Sequence, residues 1–460
     1  MSTPLAAVNG TGGTTPSPVL PVIYTITVNG TVSTETPLDV ELRQSWGQHD
    51  VFFVRIELPR TTTGINTRTI WANNAPVQVV WGLSPGDTNT WYGYVNHHNF
   101  RANADSGSRT VQIQYTLLGT SKPMNTDVYK NWGSVTASYI ATTLAAKYQM
   151  RLVTTTSNNR ATYKLPYEVQ ANESDFHFMC RIASKVGFRF WVSGGTFYFI
   201  EPASQIQSSA TQAIPIYYLN KFMWVMDTVR DFALNQGDNL PGATVANSSL
   251  WGVDPTNNTV FEATATTNTT STSNTGAGNI QGDTVAQLAA LVSAANTAST
   301  TASATDVTGI ISTDFAAISY ADALQIVNAR QALSQFWLAA SAELYGNTLI
   351  YPGKIVQLAG VQLPPDCLGN WLVSSCCHIL KSSWTGAGVL DRYVTQVEIL
   401  KNSSGNTLNL AGSNTVSPEF NTMTLSSGTW KATTTGTITT GGGSGQTGTP
   451  GTPGTIGNSG

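Results

Sequence analysis

The chain has 460 residues, of which 41% are apolar and only 11% are Asp, Glu, Lys or Arg, with a formal charge of −3. That length suits two to four domains with a sizeable core, and the near-neutral balance excludes binding of a nucleic-acid duplex through a general basic field. No apolar run is long enough for a membrane span, and four irregularly spaced cysteines, Cys180, Cys367, Cys376 and Cys377, are expected as buried reduced thiols and not a disulfide framework. Solubility then rests on Thr, Ser, Asn, Gln and Gly, a polarity that suits the extended β proteins of virions and extracellular surfaces.

The Met-Ser-Thr-Pro-Leu start lacks the basic and apolar regions of a secretory signal, and residues 1–19, rich in Thr, Gly and Pro, are expected as an arm. Val22, Tyr24, Ile26 and Val28 then alternate up to Asn29-Gly30, a strong hairpin turn signal. Further alternation at Phe52–Leu58, Val77–Trp81, Trp91–Val95 and Val111–Leu117 makes residues 20–119 an all-β sandwich or barrel. Beyond 120 the period changes. Ala137, Ile140, Ala141, Leu144, Ala145 and Tyr148 form one helical stripe. A second helix is signalled by Glu173-Ser174-Asp175, has the stripe Phe176, Met179, Cys180 and Ala183, and stops at Gly187. The apolar runs 188–192 and 196–200 flank Ser193-Gly194-Gly195 as a hairpin, so residues 120–205 form a small α+β module.

Short β-like segments fill 206–262. Residues 263–320 are a low-complexity insertion of Thr, Ser, Asn, Ala and Gly, with room for a short helix at Val285–Ala295. Ile326, Ala329, Leu333, Phe336, Trp337, Ala340 and Leu344 then predict one continuous helix, stopped by Gly346. Strands are expected at Lys354–Leu358, Asn370–Ser374 and Tyr393–Leu400, so that 206–262 plus 321–402 make a second β domain, followed by a flexible Gly/Thr/Ser tail over 403–460. The predicted fold class is therefore mixed and β-dominated, with two β-barrel or sandwich domains on either side of the α+β module. Two β units hint at an internal duplication, but no repeat is alignable in the sequence.

The residues that carry chemistry mostly point to structure. Glu173 and Asp175 are the nearest carboxylate pair, and helix N-terminal charge is the stronger explanation for them. On a strand Cys376 and His378 share a face and Cys377 does not, which leaves two ligands where a zinc site needs more, unless Cys367 comes close. His97-His98 is expected at a loop tip, and His49 and His177 as isolated hydrogen-bonding residues. The 12 Trp and 16 Tyr sit mainly in alternating or helical patterns that suit cores and interfaces; a sugar-binding groove is the competing use. Gly194-Gly195 is not a phosphate loop, because no Gly-Lys-Ser/Thr follows. No catalytic, metal or cofactor site is predicted.

Four local patterns, in order over about residues 20–400, resemble the phage tail baseplate hub family, which includes late control protein D and the hub part of type VI secretion spike proteins. The most specific is Gln170–Phe188, which is similar to that family's Gln-x-x-Glu-Ser-Asp stretch and here supplies Glu173, Ser174, Asp175, Arg181 and Gly187. The others are Trp91–Val95 with Gly93, then Tyr351–Val356 with Pro352 and Gly353, and Trp371–His378 followed by Tyr393-Val394-Thr395. The insertion and the tail depart from the pattern, and the spike extension of the secretion proteins is missing. The resemblance implies a homotrimer at the distal end of a phage tail, assembled in the host cytoplasm, whose two tube-like domains per chain present six units in a ring. Its implied partners are a tail tube or distal tail protein above, a spike or tip protein below, tape measure protein in the lumen and peripheral baseplate proteins, with DNA only in transit. A secreted or virion-bound glycan-binding or glycan-cleaving protein is the alternative; a spike with a peptidoglycan hydrolase domain has no spare stretch to host it.

Overall fold

The computed structural model describes residues 23–34, 37–59, 71–84, 87–102, 110–155, 163–202, 214–218, 229–236, 249–254, 258–264, 317, 319–334, 336, 338–360, 363–364, 367–381, 392–401 and 423–440. The arm, the Val285–Ala295 helix and most of the insertion lie outside the described residues.

The first unit contains β1 (Ile23–Val28), β2 (Thr31–Val32), β3 (Pro37–Ser45), β4 (Val51–Pro59), β5 (Pro76–Ser84), β6 (Asp87–Ala102) and β7 (Thr110–Gly119). Asn29 and Gly30 both take positive φ, as a two-residue hairpin turn that follows strand twist requires. Period-two alternation buries Val40, Leu42, Phe52, Val54, Ile56, Ile113, Tyr115 and Leu117 in one cluster, each such side chain contributing about 1.5–3 kcal/mol. Strands three places apart in a flat sheet lie roughly 14 Å from each other. Yet Phe52 of β4 and Trp81 of β5, three places apart, have ring centroids 6.2 Å from one another. The sheet therefore curls around its own core.

The module follows: β8 (Asp127–Thr136), α1 (Ala137–Lys147), β9 (Arg151–Thr155), β10 (Lys164–Ser174), α2 (Asp175–Val186), β11 (Arg189–Ser193) and β12 (Thr196–Ile200). Both helices match their predicted stripes, and α2 also its predicted cap and stop. Thr136 accepts from the Tyr139 amide, Ser174 accepts from the His177 amide at 3.2 Å, and Gly187 closes α2 at φ 74°.

The second unit runs through β13 (Ile214–Tyr218), β14 (Val229–Gln236), β15 (Ser249–Asp254), β16 (Thr259–Thr264), α3 (Tyr320–Ser334), β17 (Leu338–Tyr345), β18 (Ile355–Gly360), β19 (Gly369–Lys381) and β20 (Arg392–Lys401). The single helix expected through Leu344 is corrected: α3 stops at Ser334 and β17 begins at Leu338. From Leu338 burial alternates every second residue, and β14 and β20 clasp β17 on its two edges, which overrides the helical preference of its alanines. The β15–β16 hairpin and α3 leave the wall and share a small core of Leu250, Ala263, Ala323, Ile326 and Val327.

The tail is corrected as well. It contains β21 (Met423–Ser426), β22 (Thr429–Ala432) and β23 (Thr437–Thr440). Trp430 anchors the β21–β22 hairpin: its indole Nε1 donates to the Gly93 carbonyl and its amide to the Tyr94 hydroxyl, each at 2.9 Å. β23 pairs in parallel with β9 of the module.

The duplication hinted at above is present in the topology. Leaving β2 aside, the first unit has the sheet order β1-β5-β6-β7-β4-β3, and the second has β13-β18-β19-β20-β17-β14. With the six strands of each ranked along the chain, both read first, fourth, fifth, sixth, third, second. Irregularities coincide too. β6 bulges between Val95 and His97 against β7, as β19 does between Val373 and Ser375 against β20. β3 bulges between Pro37 and Asp39 against β4, as β14 does between Val229 and Asp231 against β17. The turn before β5 has the Ala75 amide on the Ala72 carbonyl and the Val95 amide on the Ala75 carbonyl; before β18, Lys354 bonds Tyr351 and Val373 bonds Lys354 in the same way. One pairing differs: β1–β5 is antiparallel and β13–β18 is parallel.

Candidate functional site: the seam between the two wall units

β19 joins the units into one sheet. Along one edge its first residues, Gly369–Leu372, pair with β18, and Ser375–Lys381 pair with β3 of the first unit. The sheet then wraps until β5 reaches β20: the Trp81 indole donates to the Tyr393 hydroxyl at 3.3 Å. The Asn89 amide meets the Thr348 carbonyl at 3.1 Å on the same side.

A polar cluster is sealed beneath this seam. His378 is wholly buried, with Nε2 2.9 Å from the Ile350 carbonyl and Nδ1 2.8 Å from the Tyr393 hydroxyl. A carbonyl can only accept, so Nε2 carries the proton and Nδ1 accepts from Tyr393, which accepts in turn from Trp81. Burial pulls His378 down to about 4, so the ring is neutral. Asp50 is buried beside the Gln44 amide, which donates to its Oδ2 at 2.8 Å and to the Ser193 hydroxyl at 2.9 Å. Its Oδ1 has no hydrogen-bond partner among the described groups. Burial raises this carboxyl to about 7.

Cys376 and His378 do share a face, with Sγ 3.7 Å from Nε2, but Sγ also faces the Gln44 and Ile350 oxygens. No group of three His, Cys, Asp or Glu among the described residues is placed to hold a metal. Burial raises the Cys180 and Cys377 thiols to about 12 and Cys376 well above its usual value, with nearby carboxylates adding to each shift. None is a thiolate nucleophile at neutral pH. The loop-tip assignment of His97-His98 is corrected: both lie within β6, at its bulge, where the long strand continues alongside β7. His49 is not isolated. It stacks on Phe176 at 3.8 Å and meets the Ser121 hydroxyl and the Asn125 amide oxygen at 2.6 Å each, tying the first unit to the module. His177 faces the Ser174 hydroxyl at 2.9 Å.

The motif residues separate into two groups by location. Around α2, Asp175 accepts from Lys147 at 2.5 Å, Tyr148 at 2.6 Å and Gln170 at 2.8 Å, and these contacts hold it below the usual carboxylate range despite its burial. Glu173 pairs with Arg181, which also reaches Glu168 at 3.0 Å; Lys185 meets Glu168 at 2.6 Å and Asp322 of α3 at 3.4 Å. Glu173 and Asp175 thus serve different partners and not a common cleft. Glu168, Lys185 and Asp50 were not singled out from sequence. Glu168 and Gln170 share a strand face opposite a helix bearing Arg181 and Lys185 four apart, a pattern that carried the signal; Asp50 had none. The other group lies on the wall. A Cβ on Gly93 would lie 2.2 Å from the Trp91 ring, and one on Gly353, whose φ is +87°, would lie 2.7 Å from Trp191 of the module. Pro352 is buried beside Gly353, and the indole of buried Trp371 donates to the Cys367 carbonyl at 2.8 Å.

A polar groove of about 480 Å³ opens beside the seam, lined by residues that include Arg43, Asp231, Glu343, Gln396 and Glu398, with no aromatic among the described residues that line it. Glu343 is engaged by Arg230 at 2.8 Å and Glu398 by the Ser375 hydroxyl at 2.8 Å. The described lining offers no stacking platform for a sugar.

The sequence model of the phage tail baseplate hub (GPD) family matches residues 49–384, well over half of the chain. The chain belongs to that family. Among solved structures, this baseplate hub resembles the tail protein from Neisseria meningitidis MC58, with 10% identity, a TM-score of 0.50, and coverage of 84% of this chain and 99% of that one. It also resembles the 43 kDa tail protein of prophage MuSo2 from Shewanella oneidensis, with 9% identity, a TM-score of 0.52, and coverage of 83% and 99%. At such identity the likeness is one of fold. None of the curated proteins matches the hub's sequence. Hub proteins are structural parts of phage tails, and the fold is β-dominated and multidomain as the sequence predicts.

Proposed function

We propose that three copies of this hub close into a ring with six like wall units, joining a hexameric tail tube to a threefold spike or tip at the distal end of the virion tail. Tape measure protein and DNA pass through its lumen, and peripheral baseplate proteins attach outside. The observation that carries this reading is the repeated six-strand unit, with its bulges and turn in matching places. A chain that holds two like units lets a threefold assembly meet a sixfold one, and a heterologous contact repeated by a constant rotation closes a ring. Gly93, Glu173, Ser174, Asp175, Arg181, Gly187, Pro352, Gly353, Trp371 and His378 act in it as structural residues: the first group clamps the module, and the second fixes the wall. Sedimentation of the purified chain, with labelling of it on tail micrographs, is the test. Three chain masses and label at the tail tip are expected; a strictly monomeric chain that never labels virions would remove the proposal.

A further inference from the structure

We infer that β14 of one copy adds, as an antiparallel strand, to residues 96–102 of β6 in a second copy of this chain, repeating between chains the contact that β3 makes with β19 within one. This rests on the ring proposed above and names its interface.

The argument starts from the repeat. β3 and β14 occupy the same place in their units, as do β19 and β6, and the shared bulges fix the residue correspondence: Pro37 with Val229, and Val373 with Val95. Within the chain, Val40, Leu42 and Gln44 of β3 stand opposite Leu380, His378 and Cys376 of β19. Carried through the correspondence, Phe232, Leu234 and Gln236 stand opposite Ala102, Phe100 and His98 of the neighbour. Both edges are open among the described residues. β14 ends the sheet, and β5 pairs with β6 only as far as Tyr94, so beyond it this flank of β6 has no strand partner among the described residues. Unpaired edges of this length are templates for another strand.

Burial supplies an independent indication. His378, covered by β3, is 0% exposed, whereas Phe100, its counterpart, is 55% exposed. Leu42 is buried, whereas its counterpart Leu234 is only partly so. Phe232 and Leu234 of β14 are both only partly covered, and the pairing sets Leu234 face to face with exposed Phe100.

Because Phe100 is exposed in the single chain, Phe100→Asp leaves the fold intact, which circular dichroism verifies. Sedimentation of the full-length variant is expected to show association weakened at least tenfold. In a second arm, Asn99→Cys combined with Asn235→Cys sets two thiols directly opposite across the proposed pairing. Mild oxidation is expected to link chains covalently, up to three, whereas Asn99→Cys with Ala233→Cys, two residues out of register, is not. A wild-type trimer whose mass is unchanged by Phe100→Asp, and which gives no link in the double variant, overturns this interface and leaves the ring standing. A monomeric wild type overturns both.

Discussion

Asp50 and His378 share one buried cluster and pull stability against pH in opposite directions. The Asp50 carboxyl is raised from 3.8 to about 7, so the folded chain retains a proton that the unfolded chain has released. The stability it confers is full below its unfolded value and is lost as pH rises through about 7. His378 is lowered from 6.5 to about 4; its contribution is present above the unfolded value and is lost as pH falls through about 4. Between these limits the two slopes offset each other. Asp50→Asn keeps the Gln44 partner in place and removes one slope, so the variant is expected to gain about 1 kcal/mol per pH unit relative to wild type as pH rises across that window. Urea midpoints at several pH values check this, and parallel profiles for the two chains would refute it. Gly353→Ala places a methyl against Trp191 at a positive φ, with an expected cost of about 1–3 kcal/mol, read as a lowered denaturation midpoint. Gly353 was legible as a motif residue, but its contact was not: Trp191 lies far away in sequence, in the module.

At the scale of elements, α2 was the most legible part of the chain. Its cap, stripe and stop lie within a short span, and local spacing suffices to read them. Its charge network was legible only in part: the spacing of Arg181 and Lys185 opposite Glu168 of β10 carries a signal, but nothing local points to Asp322 of α3. Glu168 and Lys185 are both buried, so Glu168→Ala takes the shorter of two carboxylate contacts from Lys185, leaves it Asp322 at 3.4 Å, and is expected to destabilise by about 2–3 kcal/mol; Ser174→Ala, which removes the cap and the hydroxyl facing His177, costs about 1 kcal/mol. Thermal melts of the two variants give the ranking, and equal losses would contradict it. β17 was misread for a physical reason: its alanines suit either period, and the decisive influence is the pair of strands flanking it. β21–β23 were hidden by their Thr/Gly-rich surroundings, since what orders them is a hydrogen bond to Gly93 and a pairing with β9 more than 280 positions away in the chain.

For the whole molecule, the sequence shows two β units but conceals that they are copies. Equivalent positions have diverged in side chain, His378 against Phe100 and Pro352-Gly353 against Asn73-Asn74, while keeping what the backbone demands: Asn74 and Gly353 both take positive φ. β19 belongs to both units, and Leu380 and Tyr393 of the second are buried in the core of the first. The wall therefore cannot lose one unit and keep the other. Calorimetry is expected to show both units melting in one transition, and two separate transitions assigned to them by hydrogen exchange would contradict this.

The state of the thiols bears on life outside the host. A tail protein exposed to air meets dissolved oxygen and peroxide, which attack sulfur through its ionised form. Cys180 and Cys377, raised to about 12, are almost entirely un-ionised at neutral pH. Desolvation thus keeps Cys180 and Cys377 as thiols, so neither is poised to form a cross-link at neutral pH.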